Sequence, residues 1–282
     1  MRGIPYTLQS GDTLGSIARA KLGDVKRWVE IAALNQDILP DPNRVVVGMT
    51  LVLPPVDPTQ KLPPTTPPLQ GLFWPERFPG RVALTFDDGP HPVNTPKVLD
   101  ILKRSNVKAT FFILGENARK YPVLVRRIVS EGHSLGHHSD THPNFTEVDR
   151  EELGRQLDRA QAAVDEALGR PYPMLQVRPP YGAMDLLVKD VIRSRGHMAV
   201  MWNVDSRDWR FRKEDARIVQ SIFATTGGIQ SRGGSILFHD IHPQTVRVLG
   251  EVITRLKRLR LTIVKTDELL RQKYPSPAPS PA

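Results

Sequence analysis

Seven prolines between residues 54 and 68 (Pro54, Pro55, Pro58, Pro63, Pro64, Pro67 and Pro68) divide this chain before any other feature is considered. Proline fixes φ and removes a backbone donor, so such a run fits neither a helix interior nor a central strand. It favours extended polyproline II conformation and acts as a semi-rigid spacer. Residues 55–79 are therefore expected to link a small unit at 1–54 to a larger one at 80–272. The tail, PSPAPSPA from Pro275, has the same low complexity, and residues 273–282 are expected to be disordered.

In the small unit, Tyr6 to Leu8 reads as a short extended piece and Ser10-Gly11-Asp12 as a turn. Leu14, Ile17 and Ala18 recur at helical spacing behind Asp12 or Thr13 as N-cap, and Trp28, Ile31, Ala32 and Asn35 mark a second helix. Val45 to Val47 and Thr50 to Leu53, around Gly48, supply the returning strand. The order is βααβ.

The large unit alternates short apolar runs with amphipathic stretches. Val82–Phe86, Ala109–Leu114, Met198–Trp202 and Ser235–Phe238 have the composition of parallel strands buried on both faces. Helical patterns occupy Pro96–Lys103, Pro122–Glu131, Asp149–Leu168 and Val246–Arg258, and Asp149 and Glu152 have capping-box spacing. This alternation implies an α/β fold whose functional groups gather at the C-terminal ends of the strands.

With no cysteine in 282 residues, disulfides and thiolate metal sites are excluded, so any metal must rest on His, Asp or Glu. The net charge of +9 draws the chain toward polyanions, among them an acidic cell wall. No run of basic residues marks a nucleic-acid arm, no stretch of about 18 apolar residues spans a bilayer, and no protein partner is evident. Met1–Gly11 lacks the apolar core of a signal peptide, so no export route is readable.

Five short segments can carry chemistry. The first strand ends in Thr85-Phe86-Asp87-Asp88-Gly89; adjacent side chains on an extended chain diverge, so one carboxylate can hold a metal while the other handles a proton. In His137-His138-Ser139-Asp140-Thr141-His142, the spacing of His138 and His142 places both imidazoles on one face of a helical turn. Two imidazoles and a carboxylate suit zinc first, with cobalt, nickel or iron as alternatives. Arg178-Pro179-Pro180-Tyr181-Gly182, Asp205-Ser206-Arg207-Asp208-Trp209 and Leu237-Phe238-His239 follow. Singly, each also has a structural reading: Asp-Gly is a common turn, and a lone guanidinium often pairs a structural carboxylate.

Together and in this order, TFDDG, HSDTH, RPPYG, DSRDW and LFH resemble the five motifs of the polysaccharide deacetylases, the NodB homology domain or carbohydrate esterase family 4. The resemblance implies a distorted (β/α) barrel with fewer than eight repeats. It implies one divalent metal ion on Asp88, His138 and His142, Asp87 as general base and His239 as general acid. Arg178 would position Asp87, Asp208 would orient His239, and the Tyr181 N–H would help stabilise an oxyanion. Trp209 and Leu237 would wall the acetyl pocket.

The small unit, with YTLQSGDTLGSIA, IAALNQDI and VVVGMTLVLP, resembles the LysM module. That resemblance implies binding of N-acetylglucosamine polymers in a groove lined by Gly11, Asp12, Thr13, Leu14, Asn35, Asp37 and Ile38. The pair of modules points to N-deacetylation of peptidoglycan in the cell envelope or outside the cell. Chitin or its oligomers, acetylated xylan and a non-catalytic wall-binding protein are the alternatives.

Overall fold

A computed structural model describes residues 4–9, 12–22, 27–39, 45–54, 72–73, 78–224, 229 and 233–273. The expected linker at 55–79 lies largely outside the described residues, as do Gly11 and all of the expected tail except Lys273. The chain forms two compact units.

In the first unit, β1 (Ile4–Thr7) pairs antiparallel with β2 (Thr50–Leu53), and α1 (Leu14–Leu22) and α2 (Trp28–Leu34) lie between them in sequence. Leu14, Ile17, Ala18, Leu22, Ile31, Leu51 and Leu53 form its core, as the helical spacing of the first four requires. Asn35 joins the layers: its Nδ2 donates to the carbonyls of Ile31 and Val52, and its Oδ1 accepts from Val52 N–H at 2.7 Å. The returning strand is shorter than the sequence suggests. Val45 to Val47 lie outside it because Met49 N–H bonds Val46 O and Gly48 turns the chain at φ 87°.

The second unit is built on one parallel sheet. β4 (Arg81–Asp87), β5 (Thr110–Ile113), β6 (Ser134–His137), β7 (Gln176–Val177), β8 (Met198–Val200) and β3 (Leu72–Phe73) follow one another across it. β10 (Gly234–His239) then returns to the other edge of β4, with β9 (Val204–Asp205) beyond it. β11 (Thr262–Val264) pairs Arg81 to Ala83 of β4, below the stretch where β5 pairs Thr85 to Asp87. Among the described residues no pairing joins β3 to β9, so the curled sheet stays an open, incomplete barrel.

The crossovers are α3 (Asn94–Arg104), α4 (Gly115–Lys120), α5 (Pro122–Ser130), α6 (Arg150–Leu168), α7 (Leu186–Ser194), α8 (Asp215–Phe223) and α9 (Pro243–Arg258), and α10 (Thr266–Lys273) follows the last strand. Each long helix buries one stripe; in α9 it is Val248, Leu249, Val252, Ile253 and Leu256. Asp149 caps α6 by accepting Glu152 N–H at 2.7 Å, which is worth about 0.5–2 kcal/mol. The reciprocal half of the capping box is not formed, because Glu152 bonds Arg155 and Gln156 instead.

Candidate active site

Every motif singled out in the large unit lies at or just beyond the C-terminal end of a strand: Asp87 on β4, His138 after β6, Arg178 after β7, Asp208 after β9 and His239 on β10. The parallel register sets His239 beside Asp87 and Leu237 beside Thr85. Alternation along each strand turns these four side chains to the same face.

Among the described residues Arg178 is the largest fully buried side chain. Its Nη1 donates to Asp87 Oδ1 and Thr85 Oγ1, each at 2.8 Å, while Nε and Nη2 reach the carbonyls of Val200 and Met201. The guanidinium stacks 4.1 Å from the centre of the Phe112 ring. Burial pulls its pKa down and the Asp87 carboxylate opposes that, so the two charges hold each other in place.

His138 and His142 do converge, but on a loop rather than a helical turn. β6 ends at His137, and both Ser139 (φ 75°) and His142 (φ 64°) are left-handed. The loop closes through His142 N–H to Ser139 Oγ at 2.8 Å, and Gln156 Oε1 accepts the N–H groups of Asp140 and Thr141. Asp88 is also left-handed, at φ 72°, which turns its carboxylate toward the two rings. Such conformations cost about 1–3 kcal/mol each for ordinary residues and persist where the surroundings impose them.

Asp88 Oδ1 lies 3.3 Å from Nε2 of both His138 and His142. It is buried without a well-aligned hydrogen-bond partner. The His138 Nδ1 lies 2.7 Å from the Arg178 carbonyl, the arrangement that leaves Nε2 free to bind a cation. One donor atom from each of the three residues falls within 4.8 Å of the others. An orphaned carboxylate oxygen facing two imidazoles fits a divalent ion. Burial alone would raise the Asp88 pKa, but His138, His239 and His142 hold it well below the usual carboxylate range.

Opposite stands His239, whose Nδ1 meets Asp208 Oδ1 at 2.7 Å. Asp208 is fully buried; it also accepts from His239 N–H, Trp209 N–H and Thr245 Oγ1, and its carbonyl accepts from Gln244 Nε2. Burial would lower the His239 pKa; the Asp208 bond and the charges of Asp208, Asp87 and Asp88 overcome this and push it up to about 9.

Tyr181 sits in the turn Pro180–Gly182 at φ 60°, with its side chain exposed and its ring edge-on to His142 at 4.6 Å. Trp209 is half-exposed, its Nε1 3.5 Å from Asp205, and Leu237 is buried. In the first unit the structure divides the expected groove residues. Thr13, Asp37 and Ile38 are exposed, and Asp12 accepts from Tyr6 Oη and Gln9 N–H. The Leu14 side chain belongs to the core, and the Asn35 side chain bonds backbone groups of Ile31 and Val52.

The site also draws on residues with no role in the sequence reading. Asn117 Nδ2 donates to Asp88 O at 2.8 Å, Gln156 holds the histidine loop, and Gln244 and Thr245 fix Asp208. Asp240, fully buried next to His239, is pushed up to about 7 by burial. A carboxylate at the end of a strand was the one readable signal for it; the others are ordinary polar helix and loop residues.

The model for the polysaccharide deacetylase family matches residues 76–200, and the model for the LysM domain matches residues 6–54. A chitooligosaccharide deacetylase from Sinorhizobium fredii is 40% identical over 188 residues, 62% of this chain and 85% of that one. The chain belongs to the polysaccharide deacetylase family. The peptidoglycan-N-acetylglucosamine deacetylase PgdA of Listeria monocytogenes is 40% identical over 193 residues, 68% of this chain. The match spans only 39% of that relative's length. The crystal structure of the Bc1960 peptidoglycan N-acetylglucosamine deacetylase superposes with a TM-score of 0.63 at 35% identity, covering 69% of this chain and 91% of that one.

Proposed function

We propose that the protein removes N-acetyl groups from N-acetylglucosamine residues of peptidoglycan, releasing acetate, with a divalent ion, zinc foremost, held by Asp88, His138 and His142. The observation that carries this reading is the orphaned Asp88 Oδ1 between two imidazoles, with a buried carboxylate and a protonated imidazole alongside. The ion would supply Lewis acidity, bringing the pKa of a water to about 7 and polarising the amide carbonyl.

The chain's own groups do the rest. Asp87, oriented by Arg178, accepts the proton of the attacking water. The backbone N–H of Tyr181 faces the oxyanion, a contribution whose loss typically costs about 10²–10³-fold in rate. His239 holds its proton at neutral pH and delivers it to the departing sugar amine. Trp209 and Leu237 wall the acetyl methyl. The LysM domain would raise the local concentration of the same polymer, which favours an envelope or extracellular setting.

The test is acetate release from purified peptidoglycan and from chitin oligomers after chelation and after adding back zinc or cobalt. Restored release from peptidoglycan is expected; release from chitin oligomers alone would transfer the assignment to them, and none from either would overturn it.

Because His239 works as an acid, kcat/KM should fall as pH rises through about 9. Asp208→Asn removes the charge that raises His239 and should move this limb to lower pH. A bound cation lowers the limb in both proteins, so the difference between them is the readout; an unmoved limb removes the Asp208–His239 pair from the mechanism. Stability follows the same sign. The pair's contribution is complete below about 6.5 and is lost as pH rises from there through about 9.

A further inference from the structure

The loop that carries Asp88 is clamped from two sides. On one side Leu114 N–H donates to Gly89 O at 3.0 Å and Asn117 Nδ2 to Asp88 O at 2.8 Å. On the other lies the carboxyl of Asp240, wholly buried, in a position no motif assigns. It rests directly against Gly89: a Cβ built there would fall 2.3 Å from Asp240 Oδ1 and 2.5 Å from Oδ2. The φ of Gly89 is not left-handed, so what excludes a larger residue is this carboxyl.

The carboxyl is itself fixed. Thr95 Oγ1 donates to Asp240 Oδ2 while accepting His91 N–H at 2.7 Å, and Asn94 Nδ2 bonds the carbonyl of Ile241 at 2.8 Å. The start of α3 and the end of β10 are thereby locked together beneath the turn that follows β4. Asp88 holds a left-handed φ of 72°, a conformation that Asp tolerates better than most residues but that persists where its surroundings hold it.

We infer that Asp240 is a positioning residue for the ion: its carboxyl is the surface against which Gly89 packs, and that contact sets where the Asp88 carboxylate stands relative to His138 and His142. The inference rests on the reading that these three residues hold a divalent ion.

The test measures zinc affinity of the full chain by competition with a chromophoric chelator, alongside thermal unfolding of the metal-free protein. Four variants are compared: Asp240→Asn, Asp240→Ala, Gly89→Ala and the double variant Gly89→Ala/Asp240→Ala. Asp240→Asn keeps the shape and should bind zinc within about threefold of wild type. Asp240→Ala should lose about 10–100-fold, the usual cost of removing a group that supports a ligand. Gly89→Ala should lose at least as much, because its methyl meets the carboxyl. In the double variant that obstruction is gone, so affinity should recover above that of Gly89→Ala alone. Wild-type affinity in Asp240→Ala overturns the inference, as do additive losses in the double variant or a lowered unfolding midpoint with zinc affinity unchanged. Failure of the wild type to bind zinc or cobalt overturns the ion-holding reading itself, and this inference with it.

Discussion

Asp87→Asn should lower kcat/KM for acetate release by about 10²–10⁴-fold, the range of a lost general base, while zinc binding and retention on peptidoglycan persist. Asparagine suits the test because its amide oxygen still accepts the 2.8 Å bond that Arg178 gives to Asp87 Oδ1. The substitution removes the proton-accepting charge and with it the counter-charge of the buried Arg178, so a lowered Tm is expected beside the rate loss. The other carboxylate oxygen is 3.7 Å from His138 Nε2, farther than the 3.3 Å of Asp88 Oδ1, which argues that Asp87 is not the ligand. Acetate release within about threefold of wild type would assign the base elsewhere; loss of zinc binding would make Asp87 a ligand.

Arg178→Met should cost stability as well as activity. The guanidinium is fully buried, and removing it leaves Asp87 as an uncompensated charge inside the sheet. Breaking a buried pair from one side typically costs about 3–5 kcal/mol. For a domain of this size that corresponds to a fall of about 6–20 °C in Tm. Adding Asp87→Leu to this variant replaces the pair by apolar side chains and should restore much of the Tm with no activity. A single variant with wild-type Tm would mean that water reaches Asp87 and relieves its charge.

In the large unit α3, α5, α6 and α9 were legible from their helical apolar period, and β4, β5, β8 and β10 as short unbroken apolar runs, whereas β6, β7, β9 and β11 and the helices α4, α7, α8 and α10 were not read from the sequence. Motif order pointed to the site, since Asp87, Asp88, His138, His142, Arg178, Asp208 and His239 all sit at or just after strand ends. What the sequence could not reveal is how Asp88, His138 and His142 converge. Four-residue spacing suggested a helical turn for His138 and His142, whereas two left-handed residues make the bend, and neither is glycine. Backbone conformations imposed by neighbours leave no local signal.

Supporting groups were hidden for a related reason. Thr245, Gln244, Gln156 and Asn117 act through partners 15 to 37 positions away, on elements whose adjacency is a property of the fold. Asn35 likewise has side-chain partners that its local sequence does not announce, the backbone groups of Ile31 and Val52.

The register of β4 with β10 sets the order in which the site can come into being during synthesis. The residues proposed to hold the ion are all present once His142 has been made, whereas His239 must wait for a strand nearly a hundred residues later to dock against Asp87. At ribosomal speeds of about 5–20 residues per second, that interval is roughly 5–20 s. A nascent chain thus has the residues proposed to hold the ion before the proposed proton donor, and under that reading hydrolytic competence arrives only when the last long strand of the sheet closes.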